Sequence, residues 1–299
     1  MRDPLEQEAT MSRVRVITDP DEMRRVTAEA RRRGDIVSFV PTMGYLHEGH
    51  LTLCRIAAER GDLVCISIFV NPAQFGPAED LDSYPRDLQG DLLKAEKCGV
   101  DLCYAPPAGS VYPPGFQTYV DVTEISKPMC GAKRPGHFRG VATVVTKLLN
   151  LIRPHCAVFG QKDYQQLQVI RRMVRDLDMD VEIVAGPIVR EADGLAMSSR
   201  NAYLTGPQRK QATCLYRGLR CADELFGRGE RDALRLVSAV REVIEAEPET
   251  RIDYVDIRDP ETLEPLDLVE DEALVALAVF VGKTRLIDNT VIGRGRSAK

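Results

Sequence analysis

The sequence predicts an α/β protein, a doubly wound parallel sheet followed by a smaller α+β domain. Two observations carry that prediction. Up to about residue 185, short apolar runs alternate with amphipathic segments, the rhythm of βαβ units. After Tyr203 the rhythm changes to two successive helical segments and then three strand-like runs. The 299 residues match about two domains of ordinary size, which we assign to 1–186 and 187–299, divided near Gly186-Pro187.

Residues 13–17 read as the first strand. Asp19-Pro20 supplies an N-cap with proline in the first turn, and the helix closes at Gly34 after a basic last turn. A strand over 36–40 and a helix over 51–60 follow, then the continuous apolar run 63–70, typical of a strand buried on both faces. Residues 87–98 are helical and 100–104 form a strand, whereas the Pro/Gly-rich stretch 105–115 reads as a loop. Helices over 141–152 and 165–177 alternate with strands over 156–159 and 181–184. In the second domain, helices over 208–226 and 231–246 are separated by Gly227 and Gly229. Strands over 252–257, 274–281 and 284–287 complete it.

Composition removes several classes. With 44% hydrophobic and 28% charged residues the chain carries enough apolar material for a core. Forty Lys and Arg against 45 Asp and Glu leave a net charge of −5, so neither nucleic acid nor an anionic membrane is an expected partner. The longest apolar run, 273–281, is far short of the ~20 residues that span a bilayer. The first ten residues are polar and lack the apolar core of a secretory signal, so a cytoplasmic protein is expected. None of the eight cysteines forms a C-x-x-C pair or has a histidine at zinc-finger spacing, and reduced, buried thiols are expected.

Residues 41–50 read PTMGYLHEGH, directly after a strand and directly before a helix. In a parallel sheet that junction lies at the carboxyl edge, where ligands bind. His47 and His50 are spaced to face one ligand if Gly49 opens the helix, and the helix N-terminus would add N–H groups for an anion. Imidazoles there would donate to phosphate oxygens and offset charge that builds up at phosphorus. A metalloprotease motif fails on spacing, since H-E-x-x-H places its ligands four apart. A Walker loop fails too, because Leu277 stands where Gly282-Lys283-Thr284 would need a preceding glycine.

Gly160-Gln161-Lys162-Asp163 repeats the strand-to-helix position later in the fold. Lys162 would be a point charge on phosphate and Asp163 a cap for the next helix. Ser198, Ser199 and Arg200 would form a phosphate clamp in a loop past the sheet. Asn71 and Gln74, after the buried strand, and Gln165 and Gln166, after Lys162, offer neutral amides for a small polar acid. His137 and Arg139, within Gly136–Gly140, offer a further basic contact. Read singly, these are also what exposed turns and polar loops look like.

Taken together, PTMGYLHEGH, FVNPAQF, PGHFRGVATVV, FGQKDYQQL and MSSRNAYL occur in the order and spacing of the pantothenate synthetase (pantoate–beta-alanine ligase) family, which the chain resembles from about Arg13 to Leu204 and more loosely beyond. The H-x-G-H signature alone is similar to the wider nucleotidyltransferase and class I tRNA-synthetase superfamily. The resemblance implies a Rossmann-like nucleotide-binding domain, a C-terminal lid and a homodimer. It implies the reaction of ATP, pantoate and beta-alanine to pantothenate, AMP and pyrophosphate, with Mg2+ on the ATP phosphates; no residue is assigned as a metal ligand. Implied ATP contacts are Met43, Gly44, Tyr45, Leu46, His47, Glu48, Gly49, His50, Gly160, Gln161, Lys162, Asp163, Val189, Met197, Ser198, Ser199 and Arg200. His50 is implied as the catalytic proton donor, with His47 and Lys162 also bearing on the phosphates. Gln74 and Gln166 are implied pantoate contacts, and Gln74 also meets beta-alanine. The alternative is another H-x-G-H nucleotidyltransferase, which would need a second nucleotide pocket where this chain offers the uncharged Asn71, Gln74 and Gln166.

Overall fold

The computed structural model describes residues 12–77 and 79–293; the N-terminal decapeptide considered above lies outside them. The chain divides into two compact units. The first comprises the described part of Met1–Val122 with Pro135–Gln161 and Val169–Pro187, and the second comprises Thr123–Arg134, Lys162–Gln168 and Ile188–Lys299 as far as described. The main change of unit thus falls at Pro187/Ile188, but two short segments from within 1–186 pack with the second unit.

In the first unit the elements run β1 (Arg15–Ile17), α1 (Pro20–Arg33), β2 (Val37–Thr42), α2 (Glu48–Ala58), β3 (Leu63–Ile68), α3 (Leu88–Glu96), β4 (Leu102–Tyr104) and the single turn α4 (Ala108–Val111). The second unit contributes α5 (Cys130–Lys133), after which come α6 (His137–Ile152), β5 (Cys156–Gly160), α7 (Tyr164–Asp176) and β6 (Glu182–Gly186). Asp19 caps α1 through the Glu22 N–H, and α1 ends at Gly34, as its sequence signals require. All six strands are parallel, in the order β1-β4-β3-β2-β5-β6. Strand order reverses between β2 and β5, so the ligand-binding crevice of such a sheet opens at their carboxyl ends. Leu53, Cys54 and Ala57 of α2 pack into the core with Val40, Ile66, Val158 and Val184, which fixes that helix beneath its own N-terminal loop. Apolar runs such as that of β3 lack alternation because both faces of the sheet are covered.

The second unit continues with α8 (Gly206–Gln211), α9 (Cys214–Gly227), α10 (Ala233–Glu245) and an antiparallel sheet β7 (Thr250–Arg258), β8 (Ala273–Val281), β9 (Thr284–Ile292). Along β8, Val275, Leu277, Val279 and Val281 pack with residues of α9 and α10. Leu274 and Ala276 join a separate cluster with Met129, Tyr164 and Leu263. That explains why β8 is apolar throughout. Its other face is covered by the two segments that precede the main domain change in sequence.

Three expectations require correction. The stretch 105–115, read as a loop, contains the single turn α4. The helix read over 208–226 is broken at Ala212-Thr213 into α8 and α9. The last strand does not stop at residue 287 but continues to Ile292, because Asp288 and Asn289, which interrupt the apolar pattern, are themselves buried. All eight cysteines are free, seven of them buried. Burial pushes the Cys54 and Cys103 thiols up to about 12, so they behave as small apolar side chains.

Candidate active site

Beyond β2 the chain reverses sharply. Thr42 Oγ1 donates to the Ser67 carbonyl (2.8 Å) and accepts from the Gly44 N–H (3.2 Å). Gly44 and Tyr45 are both left-handed, at φ +84° and +52°. A Cβ on Gly44 would stand 2.9 Å from Ile68 Cγ2 and 3.1 Å from Asp91 Oδ2, so this position requires glycine for space as well as conformation. Asp91, fully buried on α3, accepts from the N–H groups of Tyr45 and Leu46, each at 2.6 Å. Lys94, one turn on, donates to the Leu46 carbonyl (2.9 Å). Burial raises the Asp91 carboxyl above the usual carboxylate range, while the two N–H groups and Lys94 act in the opposite direction.

The helix that follows opens at Glu48, three residues before the start read over 51–60 and one before Gly49, with His47 as its N-cap. His47 Nδ1 accepts from the Gly49 N–H (3.2 Å), and His50 Nδ1 accepts from the His47 N–H (3.3 Å). This is a capping box built from two imidazoles instead of a hydroxyl and a carboxylate. A neutral imidazole that accepts at Nδ1 carries its proton at Nε2. Each ring therefore has an Nε2–H donor on its far side, and the ring centroids are 4.1 Å apart. The N–H groups of Gly44, Tyr45, Leu46, His47 and Gly49 all bond internally. Those five amides are thus engaged by Thr42, His47, His50 and Asp91. Glu48 pairs with Arg55 on the outer face of α2.

Asn71 and Gln74 meet on the 3-10 turn Pro72–Gln74 after β3. Asn71 is buried and its amide is saturated. Oδ1 accepts from Tyr112 Oη (2.8 Å) and Ala73 N–H, while Nδ2 donates to Gln74 Oε1 (2.9 Å) and the Gly140 carbonyl. With its Oε1 so held, Gln74 donates through Nε2 to Met43 Sδ (3.2 Å), which ties it to the H-x-G-H loop. His137 Nδ1 holds the Gln74 carbonyl (2.8 Å). The close approach of α6 depends on Gly140, whose Cβ would lie 2.1 Å from the Ala73 carbonyl oxygen. Arg139, also considered as a basic contact, stacks on the Tyr119 ring at 4.2 Å.

β5 pairs with β2, so Gly160 and Gln161 leave the sheet at the same edge as the 43–50 loop. Lys162 and Asp163 continue into the 3-10 turn Gln161–Asp163 and belong to the second unit. There the Lys162 carbonyl accepts from Asn289 Nδ2 (2.8 Å). Asp288 beside it is gripped by Arg190 through Nη1 and Nη2 at 2.6 and 3.0 Å, and Asp288 Oδ1 also accepts the Asn289 N–H. Burial raises the Asp288 carboxyl, against the opposing pull of Arg190.

The stretch leading into the expected phosphate clamp folds back on itself: the Met197 N–H donates to the Val189 carbonyl (2.9 Å), and Arg190 bridges to Ala196. Ser198 Oγ caps the turn Ser199–Tyr203 at the Arg200 N–H. Gln165, considered above for a substrate acid, is instead spent on the backbone of the 123–134 segment, at Cys130, Ile125 and Pro128. Its neighbour Gln166 is half-buried. Sequence reasoning missed Asp91, Asp288, Asn289 and Arg190. Asp91 did leave a trace, as a carboxylate on the same helix face as the apolar Ala95.

A doubly wound sheet with two donor imidazoles at its switch point defines a nucleotide-handling α/β enzyme. The family model described as Pantoate-beta-alanine ligase matches residues 15–291. A pantothenate synthetase from Thermotoga neapolitana is 54% identical over 280 residues, covering 94% of this chain and 100% of its own. One from Pelotomaculum thermopropionicum is 56% identical over 273 residues, 91% of this chain and 97% of its own. Among solved structures, a pantothenate synthetase from Thermus thermophilus aligns with a TM-score of 0.88 at 47% identity, covering 93% of this chain and 99% of the other. The Francisella tularensis pantoate-beta-alanine ligase, complexed with beta-gamma ATP and beta-alanine, gives 0.78 at 31%, covering 95% and 100%. The chain belongs to the pantoate-beta-alanine ligase family and is a ligase of pantothenate biosynthesis.

Proposed function

We propose that this chain activates pantoate as an acyl-adenylate and then transfers the pantoyl group to beta-alanine. The observation that carries this reading is the pair of Nε2–H donors at the carboxyl end of β2. A pantoate carboxylate oxygen attacks the α-phosphorus of ATP, the bond to the β-phosphate breaks and pyrophosphate leaves. His47, His50 and Lys162 donate to the phosphates as charge builds up, His50 in the role of proton donor. The amine of beta-alanine then attacks the acyl carbon, loses a proton, and AMP departs with the former carboxylate oxygen. ATP is held by Met43, Gly44, Tyr45, Leu46, Glu48, Gly49, Gly160, Gln161, Asp163, Val189, Met197, Ser198, Ser199 and Arg200 besides the three catalytic residues. Pantoate is held by Gln74 and Gln166, and beta-alanine by Gln74. The Gln74 amide supports this, since Asn71 orients it beside Met43 of the H-x-G-H loop and an amide can donate to a substrate oxygen. ATP as co-substrate is supported by the Francisella relative, whose structure holds an ATP species and beta-alanine.

Among the described residues no three His, Cys, Asp or Glu side chains gather into a metal cage, and magnesium would enter on the ATP phosphates. When bound it neutralises phosphate charge. We assign the chain to the cytoplasm as a homodimer; no helix among the described residues is long and apolar enough to cross a membrane. The test is exchange of labelled pyrophosphate into ATP. It should require pantoate and proceed without beta-alanine. Exchange that needs beta-alanine would mean a concerted reaction, and exchange that follows a nucleotide in place of pantoate would favour a different nucleotidyltransferase.

A further inference from the structure

We propose that Asp91, assisted by Lys94, is the positioning residue of the H-x-G-H loop, setting the direction in which both imidazoles face. Neither residue belongs to the motif, and neither has a part in the chemistry proposed above. The inference rests on that proposed role of His47 and His50.

The loop between Thr42 and His47 must reverse in four residues, and it does so through two consecutive left-handed conformations, one of them at a tyrosine. Such a conformation persists only where surrounding structure over-determines it. Asp91 supplies that restraint, with one carboxylate oxygen on each of two successive N–H groups, both at 2.6 Å. Charge-assisted bonds of this length are the strong class. Lys94 fixes the carbonyl of the second residue (2.9 Å), so the N–H and C=O of Leu46 are both gripped from α3. Its ammonium also lies 4.0 Å from the Asp91 carboxylate and offsets the buried charge.

The consequence concerns direction. With Tyr45 and Leu46 N–H groups drawn toward α3, the next peptide presents the His47 N–H to His50 Nδ1, and the Gly49 N–H turns to His47 Nδ1. Those two bonds dictate the Nε2–H tautomer of each ring. Asp91 therefore acts through the backbone on where the two donors point. An asparagine at this position would keep the shape and one acceptor oxygen, but would set an NH2 against one of the two N–H donors.

The experiment compares Asp91→Asn and Lys94→Met with the unaltered protein in pantoate-dependent pyrophosphate exchange and in amide hydrogen exchange at Tyr45 and Leu46. Displacements of about 1 Å at a reacting group cost on the order of 100-fold in rate. Asp91→Asn should lower kcat roughly 10- to 100-fold while the KM for pantoate changes less than about threefold, and both amides should exchange faster. Lys94→Met, at a partly exposed side chain, keeps the carboxylate and should lower kcat about 3- to 10-fold; it decides the matter if Asp91→Asn fails to fold. Normal kcat in either folded variant, or unaltered amide protection in Asp91→Asn, would overturn the proposal. Absence of exchange in the unaltered protein would count instead against the adenylation reading. Amide protection and ATP affinity of the variants would then decide on Asp91.

Discussion

The loop that carries His47 and His50 and the turn that carries Lys162 are held by buried carboxylates used in opposite ways. In the first unit Asp91 bonds the loop backbone directly, and its nearest cation, Lys94, stands 4.0 Å away. In the second unit Asp288 is neutralised by Arg190 in a two-pronged pair, and the neighbouring Asn289 amide does the holding at the Lys162 carbonyl. A carboxylate bound mainly by N–H groups is tied to the geometry of the loop it grips. A paired carboxylate is tied to its partner, and the positioning passes to an uncharged side chain. The two arrangements should therefore fail differently when broken.

The largest effect should come from Arg190→Met, which strands the Asp288 charge in the interior. Breaking a buried pair from one side costs about 3–5 kcal/mol, whereas replacing both members by apolar residues is often close to neutral. Urea unfolding of Arg190→Met beside the double variant Arg190→Met/Asp288→Leu reads this directly. A double variant as unstable as the single one would show that the pair does more than satisfy itself.

His50→Ala and Lys162→Ala should each slow turnover by roughly two to three orders of magnitude, about 2.7–4 kcal/mol in the barrier. Stability should change little in Lys162→Ala and fall by about 1 kcal/mol in His50→Ala, which removes one capping bond. If either changed only the melting temperature, that residue would be structural and the comparison would lose one of its two proposed catalytic ends. Asn289→Ala should be milder. Loss of one neutral hydrogen bond costs about 1 kcal/mol, and kcat should fall several-fold as Lys162 loses its backbone anchor. An effect on stability without one on kcat would separate β9 from the positioning of Lys162.

The smallest effect is a pH dependence. Burial raises the folded-state pKa of Asp91 above the unfolded value of about 3.9. Between the two values the folded state binds more protons than the unfolded one, so this group's contribution is full below the unfolded pKa and declines as pH rises through the folded pKa. Asp91→Asn removes that decline. Whatever the offset from lost hydrogen bonds, the stability of the variant relative to the unaltered protein should rise from about pH 4 upward and then level off. A gap independent of pH would mean that Asp91 titrates alike in both states.

The H-x-G-H loop was legible because a strand, a glycine turn and a helix start lie contiguous in sequence, and the chemistry proposed for it starts from the spacing of its two histidines. Its support was not, because Asp91 reaches it from 45 residues away. The same holds for Lys162, whose anchor Asn289 stands 127 residues on, in a strand whose apolar pattern stops at Ile287. There a buried ion pair mimics a strand terminus, since charge at 288 interrupts the apolar pattern that marks β9. Gln165 fails in the converse sense. Its place beside Lys162 and Gln166 suggested a substrate contact, yet burial and three backbone partners make it the strut of the 123–134 segment. Periodicity reports which residues face apolar surroundings, and it is silent on polar groups that a distant element satisfies.

The central claim, that the carboxylate of pantoate attacks the α-phosphorus, is tested most directly by the fate of oxygen. Pantoate labelled with 18O in both carboxyl oxygens should be converted with ATP and beta-alanine and the products weighed by mass spectrometry. Attack at the α-phosphorus makes one labelled oxygen the bridge of the acyl-adenylate, and cleavage of the acyl bond by the amine leaves it on phosphorus. The account predicts one 18O in each AMP, one in pantothenate and none in pyrophosphate. Label in pyrophosphate or inorganic phosphate, with none in AMP, would contradict it.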